Sequence, residues 1–482
     1  MNKPLRRVAI AAMTLLVILM INVNYIQGSQ ADKLKNDPLN SRQFAAQFQH
    51  NRGKIYAGGV TLAESQKIKG DKKDYQRIYH QGELYSPVTG FVSVFNRTGI
   101  EGAENGLLDG TDKRLTVRNW FDMLIGKKPA GAAVQTTIMP KAQQAAYNGV
   151  RRLTSKRGAA VAIDVKSGAI LAMASYPSYD TNLVATHDSA KANRAFISLQ
   201  KQTGNPMLNK AANETFAPGS SFKIVNSAAA IELGGLSKDS PVDANELKLP
   251  ESGQTLPNAD GDEAKCSGSP PLINSFAASC NSTFGRLAGT MGQSKLLTMA
   301  QRFGFDKPFK IEPGMDSASA NYPVKRMGGD DLARSGIGQG DVTATPLQMA
   351  MVAQAVANDG TQMKPYLVKR VTAPDQSELA TAEQQELGHP ISASTANQLQ
   401  DMMREVVATG TAQSTLGGQD IAGKTGTAET GRGINEDWFV GFAPQHNPKI
   451  AFAVVTEGST QTDGAHNAAP VALDIVRAVG QS

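Results

Sequence analysis

Residues 8 to 23, VAIAAMTLLVILMINV, carry no charge and are apolar almost throughout, and Tyr25 and Ile26 extend the run. At ~1.5 Å per residue, a helix reaching Ile26 nearly crosses a hydrocarbon core of ~30 Å. No other stretch of the sequence is long and apolar enough to do so. The run therefore divides the chain. The basic flank MNKPLRR is expected to stay in the cytoplasm. Residues 1–7 then form a cytoplasmic tail, 8–26 a single-pass transmembrane anchor in the cell membrane, and everything beyond about residue 30 is extracytoplasmic, where disulfides persist. A cleavable signal peptide is the competing reading, with Ser29-Gln30-Ala31 as a weak small-x-small site. The run exceeds a usual ~7–15-residue h-region, which favours an uncleaved anchor.

The 482 residues leave room for two or three domains. With 40% hydrophobic and 19% charged residues, the chain affords a sizeable core. Net charge is +6, but the basic residues are dispersed, which argues against a nucleic-acid partner. Six histidines lack ligand-like spacing, and two cysteines offer no four-ligand zinc pattern, so no metal or cofactor is expected.

Residues 27–150 are polar and Gly-interrupted, with short strand-like pieces such as RIYHQGELYSPVTGFVSVF and nothing of catalytic appearance. GKKPAGAAV, 126–134, reads as a linker. Beyond it, GAAVAIDVKSGAILAMASYPSYD predicts two apolar strands joined at Lys166-Ser167-Gly168. Helical patterns dominate from about 220 to 410, including one that starts at Thr345-Pro346 and ends at Gly360. IAGKTGTAE, DWFVGFAP and KIAFAVVTEG then supply three strands. A closing helix, PVALDIVRAVG, sets Ala472, Ile475, Val476 and Val479 on one face. Strands, helices, strands and a last helix predict an α+β domain over 151–482, its two strand groups joined in one antiparallel sheet.

The chemistry centres on APGSSFKIVNSAAAIELGG, 217–235. From Phe222 to Leu233 the pattern is that of a buried helix, yet Lys223 stands in its first turn, three residues after Ser220. A serine hydroxyl needs a base within hydrogen-bond reach. Residues three apart share a helix face, and a lysine desolvated among apolar neighbours loses proton affinity. Lys223 can then accept the Ser220 proton, while the helix N-terminus favours the developing oxyanion. Ser198 and Lys201 repeat the spacing in the polar run SLQKQTGN, where nothing depresses a lysine, so that copy reads as structural.

Two more motifs complete a site. Ser279-Cys280-Asn281 lies between helical runs, with a second Ser-x-Asn at Ser319-Ala320-Asn321 in a Ser/Asp loop. Lys424-Thr425-Gly426-Thr427 opens a strand, where Gly426 is expected to let a substrate backbone approach. Lys166-Ser167-Gly168 mimics the lysine motif but falls in a hairpin turn. Each motif alone is weak; in this order and context they are not.

The trio resembles the penicillin-recognising serine acyltransferases. NRGKI (51–55), GIE (99–101), the 158–180 hairpin, NKAANETFAPGSSFK, GIGQGDVTATPLQMA and GKTGTAE resemble the class B penicillin-binding proteins, as do the anchor and the non-catalytic module ahead of the catalytic domain. The compact module and the cysteine in Ser-Cys-Asn resemble their penicillin-binding protein A branch. The resemblance implies a β-lactamase-like α+β fold and a D,D-transpeptidase that cross-links peptidoglycan stem peptides in growth or division, with β-lactams as covalent inhibitors. It assigns Ser220 as nucleophile, Lys223 as base, Ser279 as proton relay, Asn281 as the group orienting Lys223 and the substrate amide, and Lys424 as a source of positive potential. Thr425 and Thr427 would bind the terminal carboxylate beside Gly426, and the N–H groups of Ser220 and Thr427 would form the oxyanion hole.

Ser221 departs from the commoner threonine after the nucleophile. The family resemblance implies a SEDS-type polymerase in the membrane as partner, because no glycosyltransferase segment is recognisable. Two other functions compete: a D,D-carboxypeptidase or β-lactamase using water as acceptor, and a non-catalytic β-lactam sensor. Against the first, no Glu-x-x-Leu-Asn pattern follows Ser279, and Glu312 is followed by Pro-Gly. Against the second, one anchor with a short tail leaves little room for signalling. Cys266 and Cys280 are expected to form a disulfide; two buried free thiols are the alternative.

Overall fold

The computed structural model describes residues 3–30, 47–68, 75–115, 130–154, 156–259, 264–431 and 433–481. Its first element, α1 (Lys3–Ser29), takes in the whole apolar run and the basic residues before it. Its side chains are exposed, and an 18-residue window within it has a mean hydropathy of 2.1. Length and composition are those of a helix that crosses a membrane.

Beyond it come β1 (Ile55–Ala57), β2 (Val60–Lys67) and β3 (Tyr75–Tyr79). Arg52 and Arg77 close on the Glu101 carboxylate, each at 2.6 Å, in a fully buried cluster that joins NRG to GIE. Burial pushes the Glu101 carboxyl up, but the Arg77 and Arg52 guanidiniums overcome this and hold it below the usual range. Part of the segment expected to be strand-like is instead a buried helix, Gly82–Thr89, with Pro87 inside it. Proline withholds the N–H that would reach Glu83 O; the Ser178 hydroxyl donates to that carbonyl at 2.7 Å instead.

The linker expected over 126–134 runs into a strand at its end. Residues 126–129 lie outside the described residues, but Ala133–Thr136 is a strand, β4, parallel to β1. A Gly/Ala-rich stretch reads locally as linker; its strand character comes from partners far away in sequence. The boundary expected at 150 falls inside helix α2 (Pro140–Leu153), which packs on the catalytic sheet.

That sheet begins with the hairpin β5 (Gly158–Asp164) and β6 (Ile170–Tyr176). The helices around the site are α3 (Lys223–Glu232), α4 (Leu272–Ala277), α5 (Asn281–Met291) and α6 (Pro346–Ala357), the last capped by Thr345. Strands β7 (Val368–Thr372) and β8 (Glu378–Thr381) return to the first sheet, whose order is β8-β7-β4-β1-β2-β3. The N-terminal sheet is therefore completed by chain from the middle of the catalytic region.

Helix α7 (Ala393–Ala408), strands β9 (Ala422–Glu429), β10 (Ile434–Ala443) and β11 (Ile450–Ser459), and helix α8 (Ala468–Gly480) finish the chain. The second sheet has the order β9-β10-β11-β5-β6, antiparallel throughout. The two strand groups join in one sheet, as the sequence predicts. From Asn435 to Ala443 every residue of β10 is buried, packed by α6 and α8, while α2 covers the neighbouring strands β5, β6 and β11. On α8 the most buried positions are Ala468, Ala469, Val471, Ala472 and Ile475. The expected Val476 and Val479 are only partly covered.

Candidate active site

The nucleophile candidate does not sit in an α-helix. Gly219–Phe222 is a 3₁₀ turn, and α3 begins at Lys223. With three residues per 3₁₀ turn, positions i and i+3 eclipse, which sets Lys223 Nζ 2.9 Å from Ser220 Oγ. Lys223 is fully buried, whereas Ser220 is half-buried. Phe222 anchors the turn between the rings of Phe305 and Tyr322, at 5.7 Å from each.

Ser279 occupies the left-handed region (φ 60) between α4 and α5. That kink delivers both ends of its motif to the lysine. Nζ lies 2.7 Å from Ser279 O, 3.1 Å from Ser279 Oγ and 2.7 Å from Asn281 Oδ1. Asn281 is itself oriented by donating to Pro257 O at 2.8 Å. Lys223 thus meets two pure acceptors and two hydroxyls. A neutral amine has two N–H groups for the acceptors and a lone pair for a hydroxyl proton.

Lys424 is buried on β9, 5.7 Å from the centre of the Phe276 ring, and Lys223 lies 5.5 Å from that of Phe284. The two rings pack edge to face at 6.1 Å, so each lysine lies over one ring of a single aromatic pair. Thr425 exchanges a hydrogen bond with the Thr411 hydroxyl, and Thr411 N donates to Ala277 O, tying β9 to the end of α4.

The turn is also held from outside. Ala217 N donates to Glu436 Oε2 at 2.6 Å, and Trp438 Nε1 donates to Ala217 O at 2.8 Å. Ser221, the unusual residue after the nucleophile, donates to Pro218 O at 2.7 Å and closes the turn. Gly426 also meets a packing constraint. A Cβ there would come within 2.8 Å of Pro218 O and 3.0 Å of Ser221 N. Its missing side chain admits the nucleophile's own turn against β9. Gly219 answers it from the other side: its φ is +51, and a Cβ would lie 2.7 Å from Thr427 O.

Lys223 touches Ser220, Ser279 and Asn281 at once, Lys424 lies over Phe276, and Gly426 and Thr427 pack against the turn. The decoys stay outside: Ser198 and Lys201 are exposed at the end of one helix, and Asn321 donates to Asp341 O. Sequence reasoning missed Phe276, Phe284, Thr411, Glu436 and Trp438. Only the first two lie close enough to a motif, in LINSFAASCNSTF, for proximity to have drawn notice.

Cys266 and Cys280 are disulfide-bonded and buried, with Cα atoms 5.4 Å apart. The bond ties the segment at 264–268 to the residue between Ser279 and Asn281. Cys266→Ala is expected to lower unfolding free energy by about 3 kcal/mol in the chain-entropy picture. Chemical denaturation checks the value, and a non-reduced digest checks the bond. Two free thiols in oxidatively folded protein would refute it.

A helix-covered antiparallel sheet with a Ser-x-x-Lys turn, a Ser-x-Asn kink and a Lys-Thr-Gly strand around one cleft defines a penicillin-recognising transpeptidase fold. The family model for the penicillin-binding protein transpeptidase domain matches residues 158–477, and that for the penicillin-binding protein A dimerisation domain matches 52–134. The chain belongs to the penicillin-binding proteins, on their class B, penicillin-binding protein A branch. It is 40% identical over 466 residues to the peptidoglycan D,D-transpeptidase PbpA of Mycolicibacterium smegmatis, covering 95% of this chain and 94% of the relative. To PbpA of Mycobacterium tuberculosis it is 35% identical over 493 residues, covering 100% and 99%. The structure of penicillin-binding protein A from M. tuberculosis as a ceftriaxone acyl-enzyme superposes with a TM-score of 0.85 at 34% identity, over 90% of this chain and 99% of that one. Its penicillin G acyl-enzyme gives a TM-score of 0.81 at 34% identity, over 90% and 100%.

Proposed function

We propose that this protein is a peptidoglycan D,D-transpeptidase that works through an acyl-enzyme on Ser220 and is acylated by β-lactams at the same atom. The observation that carries the reading is the set of contacts around Lys223, in which two carbonyl acceptors engage the amine and the Ser220 hydroxyl faces it. Ser220 Oγ attacks the penultimate D-Ala carbonyl as its proton passes to Lys223. The tetrahedral oxyanion rests on the N–H groups of Ser220 and Thr427, where one such donor is worth about 3–4 kcal/mol. The C–N bond breaks, Ser279 passes a proton to the leaving amine, and D-Ala departs. Thr425 and Thr427, with the charge of Lys424, hold the donor's carboxylate. An amine of a second stem peptide then attacks the ester, forms the new amide and returns the proton to Ser220.

In this reading α1 anchors the enzyme with its basic end in the cytoplasm, and the N-terminal module serves as an interaction module rather than a catalytic one. A SEDS-type polymerase in the membrane would supply the glycan strands. Hydrolysis is disfavoured by the fate of Glu312: its carboxylate accepts from Leu367 N and Val368 N at 2.8 and 2.7 Å, away from Ser220.

The deciding experiment measures D-Ala release from a stem-peptide donor with and without an amine acceptor. Release accompanied by an acceptor adduct is expected. Hydrolysed donor alone, at a rate indifferent to the amine, would mean a carboxypeptidase; one turnover followed by a stable acyl-enzyme would mean a sensor.

A further inference from the structure

One strand furnishes supports for both sides of the site. Side chains alternate along a strand; on β10, Glu436 and Trp438 hold the nucleophile turn, and Asn435 and Asp437 point the other way. There they meet the connection between β11 and α8. Asn435 Nδ2 donates to Thr462 O at 3.1 Å, and Asn467 Nδ2 donates to Asp437 Oδ2 at 2.9 Å. From the same connection, Gly464 N donates to Thr427 Oγ1 at 3.4 Å. Thr427 is also the residue directly opposite Asp437 in the ladder between β9 and β10.

Asp437 is fully buried, and its Oδ1 has no hydrogen-bond partner among the described residues. Burial pushes its carboxyl up to about 6, against the hydrogen bonds of Thr462 and Asn467 and with the help of Asp463. A buried carboxylate with an unsatisfied oxygen is a cost to the fold, and this one stands directly across the ladder from the residue whose hydroxyl is proposed to grip the donor.

We infer that Asp437 is a positioning residue for donor recognition: it anchors the 460–467 connection, whose Gly464 N–H fixes the Thr427 hydroxyl toward the donor's terminal carboxylate. A threonine hydroxyl has one proton and two lone pairs. Accepting from Gly464 on one side leaves the proton to be donated on the other. Asp437 acts through its acceptor oxygen rather than its charge, since a negative charge so close would oppose a carboxylate. The inference rests on the proposal that Thr427 binds that carboxylate.

The test compares acylation by two synthetic thioester donors, one ending in a free carboxylate and one in its methyl ester. Asp437→Leu is expected to cut the preference for the free carboxylate roughly tenfold, the scale of a lost bond to a charged group, through slower reaction of the acid and not of the ester. Asp437→Asn keeps an acceptor and should keep the preference. Asn467→Ala removes the loop-side partner without touching the sheet, should reproduce the loss, and decides the matter if Asp437→Leu does not fold. An unchanged preference in both disrupting variants, or an equal fall with both donors, overturns the inference. Thr427→Val separates it from the reading beneath: preference kept there overturns both, whereas preference lost there but kept in Asp437→Leu and Asn467→Ala overturns the Asp437 role alone.

Discussion

Ser220→Ala is expected to abolish covalent labelling by a fluorescent penicillin, while Ser198→Ala leaves labelling at the wild-type level. Both serines stand three residues before a lysine, so spacing does not separate them. Their surroundings do. Lys223 is fully buried, 2.9 Å from its serine and engaged by Ser279 and Asn281. Lys201 is exposed at the end of a helix. Only the first pair offers a base, and a nucleophile without a base reacts slowly. The effect is all or none because the labelled oxygen itself is removed. Labelling that survives Ser220→Ala, measured on a denaturing gel with folded protein confirmed by circular dichroism, would refute the assignment.

Lys223→Arg is expected to slow β-lactam acylation by on the order of 10²–10⁴-fold, the usual contribution of a positioned proton acceptor. Charge is retained, so electrostatic attraction for an anionic antibiotic is not what changes. Arginine cannot be deprotonated in a protein and has no acceptor atom. Its planar fork also fits poorly among four oxygens within 3.1 Å of Nζ. The measurement is the second-order acylation rate, with thermal unfolding followed in parallel. A rate within a few-fold of wild type would show that Lys223 is not the base.

The local parts of the fold were legible because their signals are local. The 158–176 hairpin carries its turn residues between two apolar runs, and α6 carries its cap and its stop. The N-terminal sheet was not legible in the same way. β4 is only four residues, Ala-Val-Gln-Thr, and it becomes a strand by pairing with Ile55–Ala57 on one side and Val368–Thr372 on the other. Neither partner is near it in sequence, so no window of residues contains the reason. The helix at Gly82–Thr89 escaped for a related cause: its proline argues against a helix until Ser178, far along the chain, supplies the missing donor.

The candidate site divides along the same line. The sequence by itself determined the Ser220–Lys223 spacing, the order of the three motifs and the strand character of 422–429, because these follow from backbone periodicity and residue type over a few positions. Tertiary structure alone decided which Ser-x-x-Lys copy is buried, that Ser279 and Asn281 reach across 56 and 58 positions to the lysine, and that Phe276 and Phe284 pack together with one lysine over each. It also decided that Gly426 is small for the sake of the nucleophile's own turn, and that Glu436 and Trp438 hold that turn in place. Burial and contact distance belong to the packing of elements remote in the chain, so no local pattern of residues carries them.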